Sequence, residues 1–497
     1  MNRIKIVLIS IIIAACASCS PANKSNSTFS ILHSKFNNSL VNLRVTVSGY
    51  EQYQPWKKTD VAQQSGYGCA VAPYLILTTA DNVANAAVIQ VRRYEKNDFI
   101  SATIKAVDYE YNLCLLQLDP NEAGAPFTPL AFHDKYSKGK ELSIYWLAMG
   151  GSVTEARGIL DRAQCEANPV SYNSNLFYIL TNPSRSTSKA EVVLDNGKAI
   201  GIVGFSGRTD VGVIPAEYIN RFLTEAQKET YKGFGDVGFE ATPLLDPAVR
   251  KYLKLPADAQ NGVYVSKVYT LGTGSTEIKP GDVILSVDGY ELNPYGKYLH
   301  KQYDRISYLH LIGRRSVGDK IPFTIFRDGA QLSVDIEVKD IPVNSMLVPC
   351  YDYDQQPEYY VVGGYVFQKL TRDYFKLWGE NWSGKAPPHL MHYYLDQAFC
   401  PTEQRKEIIL LSYVLPAPIN QGYQELGRLV VSKWNGVAIN TFADIENAQQ
   451  LNPNQPFDVV EFEMDNPKLV IPRQYLAPMD EQIAEIYGIQ KMKHIRK

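Results

Sequence analysis

Histidine is scarce in this chain, with seven in 497 residues. Few imidazoles are therefore on hand for proton transfer or metal ligation. Cysteine is as sparse. Cys16, Cys19, Cys69, Cys114, Cys165, Cys350 and Cys400 are too scattered for a disulfide scaffold. None forms a C-x-x-C pair beside further Cys or His, so neither a metal site nor a cofactor is expected. Excess charge is missing too. Lys plus Arg total 50 against 52 for Asp plus Glu, a formal net charge of −2. That balance excludes nucleic-acid binding, which needs a cationic excess facing phosphates. It also excludes purely electrostatic membrane binding. What is present is tyrosine, 33 in all, a residue that suits half-buried strands. The hydrophobic fraction of 45% is ordinary for globular protein, and the length allows roughly two to four domains.

The first residues read as an address. Arg3 and Lys5 precede an apolar run from Ile6 to Ala15, which is shorter than the roughly 20 residues a spanning helix needs. Residues 1–15 are thus expected to be a signal peptide. Ile13-Ala14-Ala15-Cys16 resembles a bacterial lipobox, which would make Cys16 the lipidated first residue of a mature chain tethered by residues 16–36. A plain signal peptide with an incidental cysteine is the alternative, and Cys19 is a weaker lipid site. No Asp follows Cys16. By resemblance to sorted lipoproteins, this points to the periplasmic face of the outer membrane in a bacterial cell envelope.

From residue 37 to 226, short apolar runs such as LVNLRVTV, LCLLQLD and AIGIVGF alternate with turn signals. The fold class expected is mainly β, with a barrel or sandwich first. PAEYINRFLTEAQKETYK predicts a helix that begins at Pro215. Residues 232–340 form a second unit of strands, with RDG as a tight hairpin and ISYLHLIGRR as a helix carrying Ile306, Leu309 and Ile312. Residues 343–480 form a third. KPGDVILSVDGYEL and LGRLVVSKWNGVAI share a strand–turn–short-strand pattern, which implies two copies of one module. Residues 481–497 are expected to be a solvated helical tail.

Three stretches of the first unit carry a family likeness. GYGCAVAPYLILTTADNV resembles the "LTNNHV" segment of HtrA/Deg (Do-like) trypsin-fold serine proteases. DYEYNLCLLQLD resembles their "D-x-x-x-D-L-A-L-L" strand, and SRSTSKAEVVLDNGKAIGIV their "GNSGGPL" region, with Gly197 and Gly201 fixing the register. The second unit resembles the PDZ module that follows in these proteins. The third, through GGYVFQKLTRDYFKLWGENW, resembles the enlarged C-terminal PDZ of plant Deg proteins. The resemblance implies a trypsin-like double β-barrel followed by two PDZ domains, and a homo-oligomer built on trimers.

The same alignment puts Asp81 at the family's His, Asn112 at its Asp and Ser188 at its nucleophile. Ser186, Lys189 and Ala190 stand where glycines are usual. A serine protease needs an imidazole to take the Ser proton and a carboxylate to orient it, and losing the His alone removes about 10⁶ in kcat. His133 falls in a turn, away from any triad position. The expectation is therefore a pseudoprotease and not an enzyme. The alternative is an active serine endopeptidase with a non-standard site, and a third possibility is a purely structural protein.

A PDZ module adds a peptide strand to a sheet edge and holds its terminal carboxylate on loop N–H groups. The expected site residues are Val237, Gly238 and Phe239, after Asp236, with Ile306 and Leu309 on the groove helix. In the second module they are Gly364, Tyr365 and Val366, between Gly363 and Phe367. His310 is expected to pack or be solvated. Peptide or protein ligands are the expected partners, unless the protein's own linker fills the grooves. His389 and His392 lack a third ligand, and Cys350 and Cys400 are candidates for pairing.

Overall fold

A computed structural model describes residues 35–496 apart from 169, 258, 273–276, 380, 452 and 465. The expected signal peptide, Cys16, Cys19 and most of the tether lie outside the described residues. The first unit is two closed six-stranded barrels. Strands β1 (Leu40–Val47), β2 (Ala62–Ala72), β3 (Leu75–Thr78), β4 (Ala86–Arg92), β5 (Ile100–Asp108) and β6 (Leu113–Leu118) close the first. Strands β7 (Glu141–Leu147), β8 (Val153–Ala167), β9 (Ser174–Thr181), β10 (Val192–Asp195), β11 (Lys198–Ser206) and β12 (Asp210–Pro215) close the second. The apolar runs read from sequence are these strands. Their inward residues form the cores, among them Val41, Leu43, Ile76 and Leu116 in one barrel and Ile144, Leu176, Ile202 and Val213 in the other. Closure removes sheet edges that would otherwise invite pairing. Gly201 has a steric reason: a Cβ there would lie 2.4 Å from the Ile214 carbonyl oxygen. Helix α1 (Ala216–Glu225) follows Pro215 as expected.

The second unit is a sheet ordered β13 (Phe239–Pro243), β14 (Val263–Val268), β15 (Val283–Val287), β19 (Lys320–Arg327), β20 (Ala330–Glu337), with the short β16 (Tyr290–Glu291) on β15. The expected RDG hairpin joins β19 to β20, with Asp328 and Gly329 at φ 50° and 86°. Both positive angles fit a type I′ turn, whose twist matches that of paired strands. The predicted helix is shorter than its sequence pattern. Only Leu309–Gly313 (α2) is helical, because β17 (Lys297–His300) and β18 (Asp304–Ser307) form a hairpin that takes Ile306 as a strand residue.

The third unit repeats that plan. Strands β22 (Tyr365–Lys369), β23 (Ile409–Val414), β24 (Leu429–Trp434), β26 (Phe457–Phe462) and β27 (Leu469–Pro472) follow the same order, and the short β25 (Val437–Ala438) hangs on β24. The repeat seen in sequence is therefore real. β15–β16 and β24–β25 turn on Asp288-Gly289 and Asn435-Gly436, all four at positive φ. Two strands are additional. β21 (Tyr359–Val362) pairs with β22, and β28 (Lys493–His494) pairs with β21. The expected helix is present through Tyr487 and mostly exposed, but the residues after it pair with β21 as a strand. Helix α4 (Leu476–Tyr487) buries Ile483, and the last strand adds two residues to the outer edge of the sheet. Helix α3 (Phe442–Gln450) packs Phe442, Ile445 and Ala448 into this core. Among the described residues no helix is long and apolar enough to cross a membrane.

Candidate active site and peptide groove

The three positions read as a degenerate triad do come together between the barrels. Asp81 sits on a single 3₁₀ turn after β3, and Asn112 lies in the turn just before β6 at φ 55°. The Asp81 backbone N–H donates to Asn112 Oδ1 at 3.0 Å. From the second barrel, Lys189 reaches across to form an ion pair with Asp81 Oδ2. Ser188 is exposed beside it, in a cavity of about 290 Å³ lined also by Gly66, Tyr67, Asn82, Thr187 and Ser206. Ala190, where a family glycine is usual, takes φ 62° without being glycine. His133 is exposed and caps no part of this cleft.

Sequence reasoning missed Glu191. It is almost fully buried just before β10, and burial pushes its carboxyl up to about 8, while the Ser188 backbone N–H facing it pulls the other way. Its Oε2, Asp81 Oδ1 and Asn112 Nδ2 are buried without a hydrogen-bond partner. Three orphan polar atoms in one cleft mark a site under functional or conformational demand. The only sequence signal was an acid where an apolar residue should follow the nucleophile loop.

The first PDZ-like groove is formed. Edge strand β13 faces α2 across a cavity of about 270 Å³, and Val237, Phe239 and Leu309 line it. Gly238 has φ 76° and no room for a Cβ, which would meet Leu271 O at 2.7 Å. Ile306 is not in the groove; as a residue of β18 it is buried in the core. Tyr308 and Ile312 take its place, and Tyr308 stacks with Phe239. His310 is packed: its Nε2 lies 3.1 Å from Glu217 of α1, and its Nδ1 meets Tyr298. The loop N–H groups are already used. Val237 and Gly238 both donate to Asp236 Oδ1, at 2.5 and 2.8 Å.

The second groove is filled by the chain itself. β21 lies antiparallel on the edge of β22, where a ligand strand would add, and Tyr360 reaches Gln449 of α3 with its hydroxyl. Gly363-Gly364, expected to be a carboxylate loop, is a two-residue hairpin turn with φ 56° and 83°. The Gly363 N–H donates to Asp480 Oδ1 at 2.7 Å. Tyr365 and Val366 are buried between two partner strands. Gly364, Tyr365 and Val366 are therefore structural positions, closed to outside peptide. Cys350 and Cys400 are free thiols. His392 pairs with Asp396 and His389 with the Arg428 carbonyl.

Comparison with known proteins finds a family model for the third unit and relatives along most of the chain. Residues 348–493 match the family model described as PDZ domain. "Protease Do-like 4, mitochondrial" of Arabidopsis thaliana is 24% identical over 447 residues, 87% of this chain and 80% of that protein. "Periplasmic serine endoprotease DegP" of Salmonella typhimurium is 25% identical over 286 residues, 56% of this chain and 57% of that protein. A solved structure titled "HtrA-type protease AlgW with decapeptide" has TM-score 0.48 and 18% identity, and covers 63% of this chain and 99% of that one. These findings correct one expectation. The absent imidazole argues against an enzyme, yet the relatives that match most of the chain's length are named proteases.

Proposed function

We propose that this chain, a homologue of the HtrA/Deg (Do-like) serine proteases with a C-terminal PDZ domain, recognises extended polypeptide in the bacterial cell envelope. The observation that carries this reading is the open groove between edge strand β13 and helix α2. Strand addition there supplies main-chain hydrogen bonds, and Phe239, Tyr308 and Leu309 supply an apolar floor. Leu309→Arg, which puts a charge into that floor, should abolish binding of fluorescein-labelled unfolded casein measured by anisotropy. Unchanged binding would remove the groove from the function. The lipobox-like Ile13-Ala14-Ala15-Cys16 supports a lipid anchor; Cys16→Ser should move the protein to the soluble fraction. A trimer-based assembly fits the family, and sedimentation of the purified protein reads it directly.

A second reading is favoured by the named relatives and by the convergence on Ser188: hydrolysis of the recognised polypeptide. Ser188 is the nucleophile in the cleft, and its proton needs an acceptor. Glu191, with a carboxyl near 8, matches that need better than an ordinary carboxylate. In this reading a fluorophosphonate probe labels the wild type and not Ser188→Ala, and casein cleavage rises as pH passes about 8. A protein that neither labels nor cleaves casein would sink it.

A further inference from the structure

In general, a PDZ loop holds a peptide's terminal carboxylate on backbone N–H groups that point into the groove. Here the Val237 and Gly238 N–H groups converge on one oxygen of Asp236, at 2.5 and 2.8 Å. An internal carboxylate stands where a ligand's would bind. The rest of the groove reinforces the exclusion. Its charged lining residues are Asp236 and Glu240, and neither Lys nor Arg is among them. Glu240 lies on β13 itself and accepts a hydrogen bond from Tyr269 at 2.6 Å. A second carboxylate brought to this loop would meet the acidic Asp236 and Glu240, no cation and no unused loop N–H from those two residues; burial already pushes the Asp236 carboxyl up, against the pull of the Gly238 and Val237 N–H groups. Like charges at such range repel, and an anion removed from water without donors is costly.

Strand addition itself is untouched by this arrangement. β13 is the edge of its sheet, and its residues Phe239, Glu240, Ala241 and Thr242 line the groove. We infer that the groove takes an internal stretch of extended polypeptide, neutral or basic in its side chains, and turns away a chain's terminal carboxylate, because Asp236 already fills the loop that would hold one. The inference rests on the polypeptide-recognition reading above. Asp236 is its specificity-determining residue, acting by occupation and by charge.

Binding to the full chain, followed by fluorescence anisotropy, tests it with defined probes. Fluorescein-labelled decapeptides alternating Val with Lys, or Val with Glu, are made as free acids and as C-terminal amides. For the wild type, acid and amide should bind within about twofold of each other, and the Lys series about tenfold tighter than the Glu series. In Asp236→Ala the freed N–H groups should make the acid of each pair bind about tenfold tighter than its amide. A wild-type preference for the free acid would overturn the inference, as would acid and amide binding alike in Asp236→Ala. The wild-type comparison decides alone if that variant does not fold. Loss of every peptide, in wild type and variant, would instead overturn polypeptide recognition in this groove.

Discussion

Glu191 shows how much one buried carboxyl can impose on the folded state. Burial raises it to about 8, and Glu110, half-buried and near Asp108, rises to about 8 as well. The native state then holds protons that the unfolded chain releases above its ordinary carboxyl pKa near 4.3. Between roughly pH 4.3 and 8 the native state binds more protons, so stability falls as pH rises through that window. Glu191→Gln removes one such group. Its urea midpoint should match the wild type at pH 4 and exceed it at pH 9, by on the order of 2 kcal/mol in unfolding free energy. Equal midpoints at both pH values would show that burial does not disfavour the Glu191 anion. Lys189→Ala is the companion test in the same cleft. It strips Asp81 of its cation while Asp81 Oδ1 already lacks a partner. Since Lys189 is partly exposed, the loss should be about 1–2 kcal/mol, read as a lower urea midpoint at pH 7.

At the scale of elements, the third unit is a PDZ sheet that has added its own chain as a ligand. The hairpin β21–β22 depends on Gly364, where a Cβ would fall 2.5 Å from Asn420 Nδ2 and 2.6 Å from the Leu415 carbonyl. Gly364→Ala should therefore cost about 2 kcal/mol, through both the clash and the positive φ. Because an unpaired edge recruits other strands, the variant should also self-associate, visible as a concentration-dependent light-scattering signal. The same elements show what the sequence could and could not reveal. Asp-Gly and Asn-Gly between alternating apolar residues announced three hairpins correctly, since few residues accept two successive positive φ angles. Gly363-Gly364 was misread because a carboxylate-binding loop and a type I′ turn make the same demand on glycine. Ile306 was assigned to a helix because its spacing to Leu309 and Ile312 fits one. The β17–β18 hairpin, a local pairing that periodicity does not encode, claimed it for a strand. The triad positions were legible because they lie in local motifs. Glu191 and the Asp236 cap were not, because each is defined by which donor a carboxyl turns toward.

Across the whole molecule, one short segment of the first barrel holds the other two units in place. Tyr111 stacks on Phe234 with centroids 3.6 Å apart and donates to the Gly313 carbonyl at the end of α2. Arg221 of α1 caps the same carbonyl at 2.6 Å. Two residues away, Tyr109 packs against Tyr351 and Tyr353 and donates to Asp354 Oδ2 at 2.9 Å. Asn85 and Asp354 exchange hydrogen bonds, backbone to side chain in both directions, at 2.6 and 2.8 Å. These contacts join residues from about 90 to about 270 positions apart, which no local pattern in the sequence could announce. They place Asn112, next to Tyr111, at the junction of all three units. Asp354→Ala removes the acceptor for Tyr109 and for the Asn85 N–H together, leaving polar groups at a packed interface unpaired. Each such group costs about 1–3 kcal/mol. The C-terminal unit should then melt or detach before the barrels, so calorimetry should show an early transition and limited chymotrypsin digestion should cut first between residues 339 and 358, after Leu347, Tyr351 or Tyr353. If the unfolding profile and the digestion pattern stay those of the wild type, the C-terminal unit is held by its other contacts, such as Trp56 with the Tyr487 carbonyl and Gln368 with the Gln52 carbonyl, and the segment around Tyr109 is not what fixes it.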